Sequence, residues 1–374
     1  MSDAPLPALG GKTPLEAARA PAFATLAARA DAEVGRFITV PEGFKANSDV
    51  ANLGLLGLDP SDPAARGAAR GPMEAAAAGI SLGSGEIAYR ANLVVLGGDP
   101  AGPLAARILA DFTGGHVSTD RARELVARVA QAAAHRGMTF HAGVQYRHLL
   151  VLEAPAPAQT FAAHEEVERR LGEIRPSGPR AEDLWAFVED SARILAPENL
   201  AFWPWGGGRA MSLPRIAGGG VVITAVDLIR GLGRLRGLEP IDVPGATGWY
   251  DTDYGAKAAA AAAAIDRGVS FVVVHVEAPD EAGHAGDAVE KIRAIESISE
   301  KILAPLAARF PRGSFLVTAD HPTFCATRGH GADPVPYLLA GPGARPAPGV
   351  FTEAAVATRA PIPAWDRIRV WLEG

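Results

Sequence analysis

The chain has 374 residues, 48% of them hydrophobic, and a formal net charge of -6, which allows two domains with sizeable cores. This charge balance excludes the basic footprint of a protein that binds nucleic acid or an anionic membrane. The single cysteine excludes an internal disulfide, and neither a spanning apolar stretch nor a leader is evident, so we expect a cytoplasmic protein.

The N-terminal region begins with a helix signal. Thr13 and Glu16 form a capping box around a proline at the first helical position, which predicts a helix over residues 14–30. Pro21 lies inside this range and should break or kink the helix.

Ser48 lies at a predicted junction between a loop and a helix. A strand is predicted over residues 35–40 and a helix over residues 51–57, with a polar loop between them. Local sequence alone favours an N-cap role for this serine.

The middle of the chain has the texture of a smaller α+β unit. Apolar runs at residues 86–95 and 144–152 predict two strands, with a helix over residues 120–134 between them. The predicted division of the chain is residues 1–70 and 211–374 for a discontinuous core and residues 71–210 for an inserted cap.

The second half of the chain alternates strands with helices. This pattern predicts an α/β core with a doubly wound sheet. The predicted elements are strands over 221–226, 271–276, 315–317 and 335–343 and helices over 227–235, 257–265 and 287–310.

Two of these strands end in an acid followed by an imidazole. Ligands in open α/β sheets lie at the carboxyl ends of strands, and carboxylate and imidazole are ligands of Zn²⁺ and Mn²⁺. Together they could supply most of a two-metal site. The candidate ligands are Asp280, His284, Asp320, His321 and His330.

Each of these features also has a structural interpretation. An Asp-His pair after a strand, such as Asp320-His321, can be a capped turn. His275 alternates within an apolar strand, and for it a core position is favoured.

Ten segments in order across nearly the whole chain resemble the archaeal-type cofactor-independent (2,3-bisphosphoglycerate-independent) phosphoglycerate mutases of the alkaline phosphatase superfamily. The resemblance implies an alkaline-phosphatase-like fold with a cap, and interconversion of 2- and 3-phosphoglycerate in glycolysis and gluconeogenesis without 2,3-bisphosphoglycerate. The segments are KTPLEAARAP, SDVANLGLLG, ARGPMEAAAAGI, YRANLVVL, GGHVST, YRHLLVL, TAVDLIRGLGRLRGL, VPGATGWYDTDY, HVEAPDEAGHAGD and TADHPTFC with HGADPVP.

The same resemblance implies roles for the site residues. Ser48 matches a nucleophile that is transiently phosphorylated, which replaces the N-cap interpretation. The implied cofactors are two divalent ions, with Mn²⁺ or Zn²⁺ favoured and Mg²⁺ or Co²⁺ compatible. The implied ligands are Asp280, His284 and His330 for one ion and Ser48, Asp320 and His321 for the other.

The substrate carries a phosphate and a carboxylate, so we expect cationic side chains to bind it. Arginine suits both groups because its planar fork can donate two parallel hydrogen bonds. The candidates are Arg90 and Arg147, then Arg70, His116, His148 and Lys257.

The start of the chain departs from the family pattern. Family members begin with an apolar strand that ends in Asp-Gly, and that aspartate completes the second metal site. Met1 to Pro7 matches the segment just after this strand, and Asp3 is not expected to be a ligand. We therefore expect the sequence upstream of Met1 to encode the strand.

Two other functions compete with the mutase. A metal-dependent phosphohydrolase would share the first half of the reaction and use water in the second. A non-catalytic, metal-binding homologue is the alternative from a different class.

Overall fold

The computed structural model describes residues 1–66 and 69–373. By its internal contacts the chain divides into two compact units, Met1–Arg66 with Leu213–Gly374, and Gly67–Ser212. The second unit is thus inserted into the first in sequence. Its role as a substrate-binding cap remains a prediction.

The helices begin where the sequence supplies starting signals. Thr13 accepts a hydrogen bond from the Glu16 amide while the Glu16 side chain accepts one from Thr13, and the predicted break at Pro21 separates the first two helices. The α-helices are α1 Pro14–Ala17, α2 Pro21–Ala27, α3 Ser48–Leu55, α4 Pro63–Arg66, α5 Arg70–Ala77, α6 Thr119–His135, α7 Ala181–Ile194, α8 Asp227–Leu235, α9 Tyr254–Asp266, α10 Ala278–Ala285, α11 Ala288–Ser297, α12 Ala304–Arg309, α13 Glu353–Val356 and α14 Ala364–Glu373.

The single helix predicted over residues 287–310 is instead divided. The π-helix Ile298–Leu303 lies between α11 and α12. None of the helices in the described residues combines the length and apolar character that crossing a membrane requires.

The strands follow the apolar runs of the sequence. They are β1 Ala32–Ile38, β2 Glu86–Gly97, β3 Ile108–Asp111, β4 Met138–His141, β5 Arg147–Glu153, β6 Leu200–Arg209, β7 Gly220–Ile223, β8 Leu238–Ile241, β9 Val272–Val274, β10 Phe315–Thr318, β11 Thr323–Phe324, β12 Gly329–His330, β13 Val335–Ala340 and β14 Ile362–Pro363. Short 3₁₀ turns lie at Pro7–Leu9, Leu104–Ala106, Ala163–Glu165, Leu171–Ile174 and Ala196–Glu198.

The first unit contains two larger sheets and a small ribbon. One sheet has the order β10-β13-β1-β14, in which β13 runs antiparallel to both neighbours and β14 runs parallel to β1. The other has the order β8-β7-β9 and is parallel. The ribbon pairs β11 with β12.

The second unit is built on one mixed-length antiparallel sheet. The long strand β2 pairs with β3, β5 and β6, and β5 pairs with β4. One face of β2 places Tyr89 and Leu93 in a core that also contains Leu125 of α6 and Phe187 of α7. The molecule is therefore a mixed α/β protein with several sheets.

Candidate metal and phosphoryl-transfer site

The candidate site lies in the first unit, beyond the carboxyl ends of β9 and β10. The chain leaves β9 into α10, which carries Asp280 and His284 one turn apart and therefore on the same face. Asp320 and His321 follow β10 almost at once. The two strands thus supply ligands from two separate loops.

The ribbon β11–β12 supplies the last ligand and packs directly on α10. Thr323 pairs with His330 across the ribbon. A side chain at Gly283 of α10 would place its Cβ only 2.6 Å from the Thr323 carbonyl oxygen. A glycine is therefore needed for this approach, which holds His330 beside the ligands on α10.

Four of the five predicted ligands converge here. Asp280, His321 and His330 offer ligand atoms that all lie within 4.8 Å of one another. The His284 Nε2 atom lies 3.3 Å from Asp280 Oδ2 and 2.9 Å from His330 Nε2.

The backbone fixes the orientation of two of these imidazoles. The Nδ1 atom of His284 lies 2.9 Å from the Arg328 carbonyl oxygen, and Nδ1 of His330 lies 2.8 Å from that of Ala46. Because a carbonyl only accepts, each Nδ1 must carry the proton and donate it. The two Nε2 lone pairs then face each other, and a positive charge between them, as a proton or as a metal ion, relieves the repulsion. The site therefore fits a cation.

Ser48 is brought to the same place by the start of α3. Its Oγ atom lies 3.2 Å from His321 Nε2, and that nitrogen lies 3.4 Å from Asp320 Oδ2. One helical turn later, Asn52 Nδ2 donates to the Ser48 carbonyl at 2.8 Å and to Asp320 Oδ2 at 3.1 Å. Ser48 is the first residue of the helix and Asn47 is its N-cap, so the local N-cap interpretation of Ser48 is wrong.

The protonation states of the cluster follow from these contacts. Burial raises the pKa of Asp280, but hydrogen bonds from His284, His330 and Thr323 outweigh it and hold the pKa well below its usual range. The hydrogen bond to Asp280 raises the pKa of His284 to about 9. Burial lowers the pKa of His321, although Asp320 opposes this. The acid is thus anionic, and His321 is in the neutral form that a metal requires.

Two site residues escaped the sequence analysis. The Thr323 hydroxyl hydrogen-bonds Asp280, and Asn52 bridges Ser48 to the loop after β10. Spacing could have indicated both, because Thr323 follows His321 by two positions in an extended segment and Asn52 follows Ser48 by four in a helix.

Asp3 has a structural role. Its carboxylate accepts hydrogen bonds from Lys291 Nζ at 2.8 Å and from the Cys325 amide at 3.2 Å. The side chains of Asp3 and Lys291 are both fully buried. This ion pair ties the N-terminal segment to α11 and to the ribbon.

Lys257 lies in the first unit, beneath the end of β9. Its buried ammonium donates to the His275 carbonyl at 3.0 Å, and burial lowers the pKa of Lys257 to about 8. The ring of His275 is held by Thr224 at 3.1 Å and by Glu277 at 3.2 Å.

The other candidate cations lie in the second unit, where Glu74 pairs with two of them. Glu74 Oε1 accepts from Arg90 Nη1 at 2.8 Å and from Arg70 Nε at 2.7 Å. Arg90 is buried, with its guanidinium over the rings of Tyr146 and Trp205. It is therefore part of a buried ion-pair network.

Arg147, His148 and His116 have three different environments. Arg147 is half-buried, with its guanidinium carbon 5.4 Å from the Tyr146 ring centre. His148 is buried and accepts from the Gly143 amide at 3.1 Å, while its Nε2 has no hydrogen-bond partner within the described part of the chain. Burial lowers the pKa of His148 to about 3. His116 is exposed, in a left-handed backbone conformation.

Comparisons with known sequences give a consistent result. The profile described as 2,3-bisphosphoglycerate-independent phosphoglycerate mutase matches residues 29–200. The chain is 41% identical over 365 residues to 2,3-bisphosphoglycerate-independent phosphoglycerate mutase 2 of Methanothermobacter thermautotrophicus, covering 92% of this chain and 87% of that one. It is 38% identical to the probable 2,3-bisphosphoglycerate-independent phosphoglycerate mutase of Geobacter sulfurreducens, covering 91% and 88%.

Solved structures share the fold. The PH0037 protein from Pyrococcus horikoshii matches with a TM-score of 0.78 at 23% identity, over 100% of this chain and 94% of that one. The cofactor-independent phosphoglycerate mutase of Thermoplasma acidophilum matches with a TM-score of 0.63 at 23% identity, over 100% and 97%. Identity over most of both chains shows that this chain belongs to the family of 2,3-bisphosphoglycerate-independent phosphoglycerate mutases.

Proposed function

We propose that this member of the family interconverts 2- and 3-phosphoglycerate through a phosphoserine formed on Ser48, at a site that holds two divalent cations. One observation carries the proposal. The Ser48 Oγ atom lies 3.2 Å from His321 Nε2, at the amino end of α3 and next to the cluster of Asp280 and His330. A nucleophile, metal-type ligands and the positive end of a helix dipole thus meet where a phosphoryl group would be transferred.

The ligand types support two sites. Asp280, His284 and His330 would hold one ion, and Ser48, Asp320 and His321 the other. Mixed oxygen and nitrogen donors suit Mn²⁺ or Zn²⁺, and Mg²⁺ or Co²⁺ would also be accepted. When bound, the cations would lower the pKa of the serine hydroxyl and offset the negative charge of the phosphate.

The chain's own residues would carry out two displacements. Ser48 Oγ attacks phosphorus and loses its proton as the bond from phosphorus to one glycerate oxygen breaks, and that oxygen takes a proton. The other glycerate hydroxyl then attacks the phosphoserine and restores the Ser48 hydroxyl. Because the same phosphoryl group returns to the same glycerate, no second phosphate donor is needed.

We further propose that the core is an alkaline-phosphatase-like doubly wound sheet and that the second unit is the substrate-binding cap. The parallel sheet β8-β7-β9 supports the first part. Among the cap cations, the half-buried Arg147 is best suited to bind substrate, because Arg90 and Arg70 already share Glu74. The proposed substrate-binding residues are Arg90, Arg147, Arg70, His116, His148 and Lys257.

An assay that separates transfer from hydrolysis tests the function. The chain is given 3-phosphoglycerate with Mn²⁺, and 2-phosphoglycerate is measured through an enzyme that consumes only that isomer, alongside inorganic phosphate. We expect 2-phosphoglycerate to form without matching phosphate release. Ser48→Ala should abolish its formation, and Ser81→Ala, at an exposed serine, should leave it unchanged.

Phosphate release without isomerisation would replace the mutase by the phosphohydrolase. Full isomerisation by Ser48→Ala would remove Ser48 from the mechanism.

A further inference from the structure

Each of the two larger sheets of the first unit ends in a strand with one unpaired edge. β9 pairs with β7, and β10 pairs with β13. Among the described residues, no strand pairs with the other edge of either. The peptide groups on that edge of each strand therefore lack a ladder.

The two open strands run in the same direction. Their carboxyl ends lead to Asp280 and His321, which contribute ligand atoms within 4.8 Å of each other. Near their amino ends, the Trp371 ring lies 6.2 Å from that of Phe271, and its Nε1 donates to Ser314 Oγ at 3.0 Å. β9 and β10 are thus held near each other at both ends.

A cavity of about 620 Å³ lies along these strands. Its walls include Val272 and Val274 of β9, Phe315 and Val317 of β10, and Ile302 and Leu306 from the helical segment after α11. Every residue of β9 and β10 is only half-buried, whereas β13 is buried throughout. We call this cavity the interstrand slot.

The chemistry of the slot selects its occupant. Open strand edges need alternating amide donors and carbonyl acceptors, and the walls need apolar side chains. Water would satisfy the edges but leave the apolar walls hydrated, whereas a small apolar molecule would do the reverse. An extended peptide satisfies both, because its backbone can pair with two strands while its side chains pack on both faces.

Met1 gives the occupant a direction. Its side chain lines the slot, and its amino group is buried. The next residue is held at the ligand end, because the Ser2 carbonyl accepts from Lys291 Nζ at 3.0 Å and from the Thr323 amide at 3.3 Å. A strand whose carboxyl end adjoins Met1 would run parallel to β9 and β10.

We propose that the interstrand slot binds one extended peptide strand, rich in Val, Ile and Leu, which joins β9 to β10 into one continuous sheet. The strand would have about five or six residues, since each residue rises about 3.3 Å and the neighbours are short. This proposal does not depend on the reaction at Ser48.

The test uses the full chain with an extension of about six residues joined to Met1. One version carries a Val/Ile/Leu-rich extension, a matched control carries Gly and Ser, and a third sample receives the apolar peptide in trans. The readouts are hydrogen exchange of the β9 and β10 amides, the melting temperature and the mass in solution.

We expect the apolar extension to slow exchange in both strands at least tenfold and to raise the melting temperature by at least about 5 °C, with no such change for the control. Unchanged exchange with the apolar extension would overturn the proposal. It would equally be overturned if β9 and β10 of the unextended monomer were already as protected as β13. Concentration-dependent dimers that protect the same amides would assign the slot to a second copy instead.

Discussion

At the scale of single residues, buried charge is the main constraint on the second unit. Burial raises the pKa of Glu74, but the neighbouring Arg90 and Arg70 lower it further, so that it stays ionised. Removing one partner of such a network leaves an unpaired buried charge, which costs about 3–5 kcal/mol. Replacement of Arg90 would therefore confuse binding with stability, and Arg147 is the better residue for testing substrate recognition.

Replacing Arg147 with Ala should lower kcat/KM for phosphoglycerate roughly 10- to 100-fold, because a charge-assisted hydrogen bond to the substrate is lost. The ratio of phosphate release to isomerisation should rise, since a poorly held glycerate leaves before it can accept the phosphoryl group. Steady-state assays of both products measure this. Arg123→Ala, on an exposed face of α6, is the control, and equal effects of the two substitutions would show that Arg147 is only a surface charge.

His148 makes the stability of the second unit depend on pH. Its pKa is about 3 in the folded chain because of burial, against about 6.5 unfolded, so between these values the unfolded state binds more protons. Stability should then fall as pH falls below 6.5, by about 2 kcal/mol between pH 7 and pH 5 from this group alone.

The variant His148→Asn keeps an acceptor for the Gly143 amide but cannot be protonated. Hydrogen exchange of β2 and β5 at pH 5 and pH 7 should show a smaller loss of opening free energy for the variant than for the original chain. The comparison at pH 7 measures lost contacts alone. An identical pH dependence in both chains would contradict the account.

At the scale of elements, the sequence predicted what local signals specify. The capping box at Thr13, the break at Pro21 and the apolar runs of β2 and β13 are confirmed. The π-helix at Ile298–Leu303 was not predicted, because π-helices are rare and the sequence pattern over residues 287–310 is that of an α-helix. The roles of Asn52 and Thr323 needed tertiary contacts for their recognition.

Gly283 controls the contact between α10 and the ribbon. Gly283→Ala should force α10 away from the Thr323 carbonyl, destabilise the first unit by about 1–3 kcal/mol and weaken metal binding, because Asp280 and His284 move with the helix. Thermal unfolding and metal titration measure the two effects.

Gly255→Ala in α9 is the matched control. The nearest atom to its added Cβ would be 3.4 Å away, so helix propensity should make the change neutral or stabilising by up to about 1 kcal/mol. Equal metal affinity for the Gly283 variant and the original chain would show that the ribbon adapts without moving the ligands.

At the scale of the whole molecule, the ligands lie outside the hydrophobic cores. The first unit has a core around Phe23, Val34 and Leu338, and the second has its own around Tyr89 and Phe202. Apolar burial of this kind supports folding without a metal. The cations should therefore matter for activity more than for folding.

Removing divalent ions with a chelator should abolish isomerisation and leave the far-ultraviolet circular dichroism spectrum unchanged. Adding Mn²⁺ or Zn²⁺ should restore activity, and ligand binding to the native state should also raise the melting temperature. A chelated protein that is unfolded would contradict the separation of core and site.

The central claim is that Ser48 carries the phosphoryl group between the two positions of glycerate. Rapid acid quenching of the metal-loaded chain during turnover of 3-phosphoglycerate, followed by mass spectrometry of the peptide around Ser48, tests this directly. The account predicts one added phosphoryl group on Ser48 during turnover and none on that peptide in Ser48→Ala. Sustained formation of 2-phosphoglycerate with Ser48 unmodified at every quench time would contradict it.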